Sequence, residues 1–219
     1  VTATVLTPPS STAWDLLSLR SAVGPIVSDA VGESATDRLV VDAGDCPHPD
    51  AFLAAVVARL MVLERLDVAV AYVVGSPTRA TRVYRLPVGA AARDLAHNGT
   101  PAPFPLIRDD AASVLVGRAR HVGADGGPLL GEGYVDDTRL FDGEVAAVEI
   151  EPLGADGDLR GRVARRGWAL PHRWRSGRAV QTGGPAVFVE REGVLTPRAT
   201  GRSTFYPHHV PWRLVALTS

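Results

Sequence analysis

The stretch LVVDAGDCPHPDAFLAAVV, residues 39–57, decides the fold. Leu39, Val40 and Val41 are continuous apolar residues, the pattern of a strand buried in a parallel sheet. Ala43-Gly44-Asp45 turns the chain, Pro47 and Pro49 follow, and residues 50–63 read as a helix. A strand that feeds a helix through a glycine turn builds one unit of an α/β layer. The same junction is a common phosphate site, because the first N–H groups of a helix have no partner inside it.

The neighbouring segments extend this unit. TATVLT (2–7) is short and β-branched, a strand. Residues 13–27 place Leu16, Leu19 and Val23 at helical spacing, with Thr12 as a candidate N-cap. LDVAVAYVV (66–74) is a third buried strand. The β-α-β-α-β order argues for a parallel sheet with right-handed crossovers. Residues 88–99 read as a last helix that ends at Asn98-Gly99. After the proline-rich TPAPFPLIRDD (100–110), short strands alternate with Gly, Asp and Pro up to WRLVAL (212–217). The fold expected is α+β overall. An α/β lobe with a short parallel sheet spans residues 1–87, and an antiparallel β-sandwich-like lobe spans residues 88–219.

Composition excludes several chemistries. The net charge is −1, so no global field favours nucleic acid. All 23 basic residues are arginine. Without lysine there is no Schiff-base nucleophile and no P-loop lysine. Cys46 is the only cysteine, which rules out an intramolecular disulfide and suits a reducing compartment. The N-terminal residues carry no signal-peptide pattern. The apolar run 51–63 is broken by Arg59 and too short to span a bilayer. A cytoplasmic protein that does not span a membrane is expected.

Several stretches, in order along the chain, resemble the diacylglycerol kinase and NAD kinase-like superfamily. TATVLTPPSS resembles its first strand and Pro-Ser turn, and DRLVVDAGDCPHPDAFLAAVV its strand, Gly-Gly-Asp-Gly-Thr turn and helix. DVAVAYVVGSPTRATRVYRLP resembles the next strand and the Gly-Thr-Gly-Asn-type loop, and AARDLAHNGTPAPFPLI the helix and strand that lead into the sandwich. RAVQTGGPAVFVEREGVLTPRATG resembles the late hairpin that carries an Asp-Gly-Glu turn in lipid kinases. The resemblance implies a nucleotide site at Gly44, Asp45, Gly75, Ser76 and Thr78, with Asp45 as a Mg²⁺ ligand and ATP as the nucleotide.

The departures from that pattern are specific. Aligned on Asp45, only Gly44 and Asp45 of the phosphate turn remain. Ala43 and Cys46 add side chains, and Pro47 and Pro49 lack the N–H that would face a phosphate. The second loop, Gly75-Ser76-Pro77-Thr78-Arg79, lacks the second glycine and the asparagine. In the late turn, Arg191-Glu192-Gly193, a base on the residue after glycine falls on Val194, which accepts no proton. The reading that follows is a degenerate kinase-like protein that binds a small-molecule or lipid ligand, or a protein partner, without catalysis. The alternatives are an active ATP- and Mg²⁺-dependent phosphotransferase that uses arginine for the missing lysine, and a structural or homo-oligomer-forming protein.

Other residues invite chemistry and have plainer readings beside it. Cys46 lies near a helix N-terminus, where a thiol pKa can fall, but no sequence neighbour fixes it as a nucleophile. Residues 125–158 carry ten acids and one arginine; Asp136, Asp137 and Asp142 are the candidate metal ligands, against solvated turns and outer strand faces. Residues 160–178 carry seven arginines with Trp168 and Trp174. Arg160, Arg162, Arg173 and Arg175 are the candidates for contact with an anion or lipid headgroup, against pairing with the acidic segment. His208-His209 on a strand would point to opposite faces and not chelate together.

Overall fold

The computed structural model describes residues 2–9, 14–32, 36–164 and 173–217. Thr12, Trp168, Arg165 and Arg166 lie outside these residues. The chain begins with β1 (Ala3–Leu6), α1 (Leu16–Gly32), β2 (Arg38–Asp42), α2 (Pro49–Val62) and β3 (Ala69–Val73), the expected alternation. Asp15 starts α1, with its Oδ1 accepting from the N–H groups of Leu17 and Ser18, both at 3.0 Å. The loop after β3 folds into a short helix that sequence spacing does not show, α3 (Arg79–Val83). Thr78 caps it through a reciprocal pair of bonds with Thr81.

Next comes α4 (Ala90–Asn98), which stops at Gly99 as expected, but for a different reason. Gly99 has an extended backbone, φ −73°, and a Cβ there would lie 2.6 Å from the Leu95 carbonyl oxygen and from the Val215 side chain. The glycine serves close packing rather than a left-handed turn. Arg38 seals the other side of this helix end, donating to the carbonyls of Ala96, His97 and Gly99 at 2.6–3.0 Å. A cation on the last carbonyls of a helix also meets the negative end of its dipole.

From residue 100 the chain is strands apart from single short turns of helix. These are β4 (Thr100–Phe104), β5 (Ile107–Asp109), β6 (Val114–Leu115), β7 (Ala119–Val122), β8 (Leu129–Val135) and β9 (Thr138–Val145). Then follow β10 (Val148–Pro152), β11 (Leu159–Val163), β12 (Arg175–Gly177), β13 (Val180–Arg191), β14 (Val194–Leu195), β15 (Thr200–Pro207) and β16 (Trp212–Ala216). Two sheets result among the described residues: a mixed sheet of five strands and an antiparallel sheet of eleven.

The small sheet has the order β1-β2-β3-β16-β4. Its last two strands both come from beyond residue 87, so the change of texture there does not coincide with the sheet boundary. WRLVAL, read as part of the β-rich lobe, instead runs parallel to β3 and antiparallel to β4. The reason lies in its side chains. Trp212, Leu214, Val215 and Ala216 are all buried, and only a strand with helices or strands over both faces hides neighbouring residues in this way. Helices α1 and α2 cover one face of the sheet, and α4 packs against β3 and β16. The large sheet folds around a separate core that includes Leu115, Leu129, Ile150, Leu159 and Phe205.

Among the polar groups buried in the large sheet is His121, whose Nδ1 is 2.8 Å from Thr182 Oγ1 and whose Nε2 is 3.1 Å from Ser203 Oγ. Burial first, and then the charge of Arg191, push its pKa down to about 3. An unfolded histidine titrates near 6.5. The unfolded chain therefore binds a proton that the folded chain refuses, and stability present above pH 6.5 falls as pH drops toward 3. Urea midpoints should decline between pH 7 and pH 4, with a shallower slope in His121→Asn. Trp212 lies against Tyr84 edge-on, with ring centroids 5.4 Å apart. Trp212→Ala should cost roughly 3–5 kcal/mol in chemical denaturation and release the 212–216 amides to early hydrogen exchange.

Candidate functional site

The turn after β2 and the loop after β3 lie at one edge of the small sheet, because Asp42 and Val73 are paired at the carboxyl ends of their strands. Ligands of open α/β sheets bind at that edge. Gly44 takes the left-handed conformation, φ +49°, and the space beside its Cα is open. Yet the turn spends its own donors. Ala43 N–H bonds the Val73 carbonyl at 2.9 Å, Gly44 N–H the Asp42 carboxylate at 3.1 Å, and Cys46 N–H the Ala43 carbonyl at 3.0 Å. Pro47 has none. Within residues 43–47 only the N–H of Asp45 is left without an internal acceptor. The Asp45 side chain is exposed and makes no hydrogen bond or ion pair with another described residue.

Cys46 packs against the main core, and burial pushes its thiol up rather than down. The activated thiol is therefore not realised. His48 stands at the N-cap of α2 without a capping side-chain bond, 6.0 Å from Trp14 between ring centroids. Pro49 opens the helix. In the first turn the chain places its own anion: buried Asp50 accepts from Tyr72 Oη at 2.9 Å and from the Ala80 N–H at 3.1 Å. One carboxylate thus joins α2, β3 and α3, next to the positive end of the α2 dipole. Burial, and then Asp50, hold the Tyr72 phenol well above the usual tyrosine range.

Gly75 and Ser76 are exposed, and no atom lies near the open side of Gly75. Thr78 is committed to capping α3. The site residues expected from the sequence therefore share one sheet edge, but Gly44, Asp45, Gly75 and Ser76 face outward, and Thr78 serves its own helix.

The group that sequence reading passed over is Glu192. It sits in the two-residue turn between β13 and β14, where Arg191 pairs with Val194. Both turn residues have positive φ, +51° at Glu192 and +80° at Gly193, the geometry of a type I′ hairpin. The Glu192 carboxylate accepts from three successive backbone N–H groups. Oε1 takes those of Val116 and Gly117 at 2.8 and 2.9 Å, and Oε2 takes that of Arg118 at 3.1 Å. Gly117 is required here: a Cβ would lie 2.7 Å from Glu192 Oε2, 2.8 Å from Arg79 Cβ and 3.1 Å from the Ala80 N. The site thus lies where α3 of the small lobe meets the large sheet. Burial, and then the Asp50 carboxylate, push the Glu192 carboxyl above the usual range, while the three N–H groups hold it toward the ionised form. The signal legible in the sequence was the Glu-Gly pair itself, where a hairpin turn of this type favours Asn-Gly.

The arginine-rich and acidic segments meet. Arg160 and Arg162 on β11 pair with Glu151 and Glu149 on β10, each at 2.7 Å. Arg118 reaches Glu149 at 3.5 Å, Arg120 reaches Glu190 at 3.2 Å, and Arg79 of α3 reaches Glu151 at 3.6 Å. Trp174 lies over Arg160 and Arg162, 4.4 and 4.3 Å from its ring centroid. Arg173 and Arg175 are exposed and make no ion pair with another described residue. Asp136 caps the chain at Arg178 and Ala179, and Asp142 pairs with Arg139. Among the described residues no His, Cys, Asp and Glu cluster forms a metal-binding group. His208 and His209 lie past β15 with ring centroids 4.2 Å apart, so they do not point to opposite faces as expected of a strand.

No family model and no curated protein matches the sequence. Solved structures do match in shape. A "putative diacylglycerol kinase" from Bacillus anthracis str. Sterne superposes with a TM-score of 0.65 at 12% identity, over 98% of this chain and 96% of its own. A second structure so described from the same organism gives 0.68 at 12%, over 98% and 97%. A third, described as a diacylglycerol kinase, gives 0.60 at 11%, over 98% and 96%. This chain has the diacylglycerol kinase-like fold. The small mixed sheet of that fold carries the Gly44-Asp45 turn, and the Glu192 turn comes from the large sheet. Among the described residues no helix is long and apolar enough to cross a membrane.

Asp50→Ala should strand the Tyr72 hydroxyl and the Ala80 N–H. The expected loss is about 1–3 kcal/mol, measured by chemical denaturation. The Glu192 carboxyl should titrate lower in the variant, because one of the two causes that raise it is gone.

Proposed function

We propose that this protein retains the kinase-like architecture as a non-catalytic ligand- or partner-binding protein. The observation that carries this reading is the pair of carboxylates where the lobes meet, Asp50 and Glu192, linked through the Ala80–Gly117 contact. Each is bonded to internal donors, and together they oppose a polyphosphate by charge. The β2 turn supports the same reading, since Pro47 offers no donor and three of the other four N–H groups between 43 and 47 are bonded within the protein. The residues present fit Mg²⁺ poorly as well: Asp45 is a lone exposed carboxylate, and a hard cation needs several converging oxygens. A diacylglycerol-type lipid is the first ligand to test, because the structures of similar shape are described as acting on that class.

Incubation with Mg²⁺, ATP and diacylglycerol in mixed micelles should yield no phosphorylated lipid above the protein-free level. A thermal-shift titration should show no Mg²⁺-dependent response to ATP. A ligand at 100 times its Kd adds about 2.7 kcal/mol of stability, well within reach of that measurement. An ATP shift that requires Mg²⁺ and vanishes in Asp45→Ala overturns the reading in favour of an active phosphotransferase.

A further inference from the structure

Three successive backbone N–H groups aimed at one point form an anion-binding concavity. Val116, Gly117 and Arg118 make such a concavity at the start of β7, and the chain fills it with the Glu192 carboxylate. The turn that carries Glu192 and the glycine that faces it together leave room for this contact. Glu192 holds a left-handed φ of +51°, a conformation that costs a residue with a Cβ and that Gly or Asn adopts more readily. Gly117 leaves room for the carboxylate that any Cβ would take away. The hairpin turn itself sets the left-handed φ of Glu192, but it does not require the missing Cβ at Gly117. Glu192 is also only half-buried, and it lines a shallow crevice with Leu19, Arg20, Ala54, Ala58 and Val194. Arg20 donates there to Ser113 Oγ at 2.7 Å and to the Ala111 carbonyl, so its guanidinium is bonded to neutral groups and not to a carboxylate.

We propose that the Val116–Arg118 backbone is an anion site for a phosphate-class ligand, and that Glu192 is its internal occupant. The two anions exclude one another. Three donors cannot serve two ligands, and a second negative charge beside Glu192 and Asp50 is repelled. On this proposal the site opens only when the Glu192-Gly193 turn withdraws, and Glu192 itself lines the crevice beside Arg20. This inference goes beyond the ATP question, since it needs neither a nucleotide nor a metal.

The test uses the full chain and inorganic phosphate, with sodium chloride at equal ionic strength as reference. Two variants remove the carboxylate: Glu192→Ala, and Glu192→Gly, which also relieves the left-handed backbone and so protects folding. Both should gain a saturable, phosphate-dependent rise in Tm that the wild-type protein lacks, and Glu192→Gln, which keeps the cavity filled, should gain less. Amide NMR of Glu192→Gly should show the Val116, Gly117 and Arg118 signals moving along the same titration curve. If Glu192→Ala is unfolded, its recovery on adding phosphate counts for the site. The proposal is overturned if Glu192→Gly shows no phosphate response, if the wild-type protein responds equally, or if the amides that move lie elsewhere.

Discussion

The fold depends on the insertion of β16 between β3 and β4. The small sheet begins with the first residues and gains its fourth strand only from the last described ones. Trp212 and Leu214 enter the same core as Leu39, Phe52 and Tyr84, while Val215 joins the opposite face against Ala96. The large sheet is therefore an excursion between two strands of the small one. Both of its ends are anchored, at β4 and at β16, and the lobes are held in register by the backbone as well as by side chains. Such a strand order demands pairings between distant parts of the chain, the kind of topology that folds slowly.

Where the lobes meet, negative charge is kept in place by backbone donors. Asp50 ties α2 to β3 and α3, and Glu192 ties the β13–β14 turn to the segment that opens β7. Gly117 sits between them, within reach of Arg79, Ala80 and Glu192. A carboxylate that accepts several N–H bonds has the geometry an oxyanion ligand would have. The region is built for anions, and the anions it holds are its own.

The polar face of the large sheet shows a different solution to the charge problem. Arg162, Glu149, Arg120 and Glu190 stand opposite one another across four adjacent strands. Alternation of sign along that row turns residues that look like an acidic segment and a basic segment into cross-strand pairs. The half-exposed pairs contribute little stability singly, since solvent screens them. Their effect is on register, because a slip of one residue would set an arginine or glutamate against the apolar core.

Local pattern alone determined the alternation of β1 to β3 with α1 and α2, since each has an apolar period that its own residues display. It also marked the Gly44 turn as a strand-to-helix junction and Pro47 and Pro49 as missing donors, because those properties belong to the residue and not to its neighbours. Tertiary structure decided the rest. The position of β16 was invisible, because an apolar hexapeptide reads the same in either sheet. Glu192 was passed over because its donors are backbone N–H groups some 75 residues away, which no side-chain pattern announces. The pairing of Glu149 and Glu151 with Arg162 and Arg160 needed the register of β10 on β11. Periodicity records which face of an element is apolar; which charges and donors meet depends on pairings between distant strands, and only the folded chain specifies those.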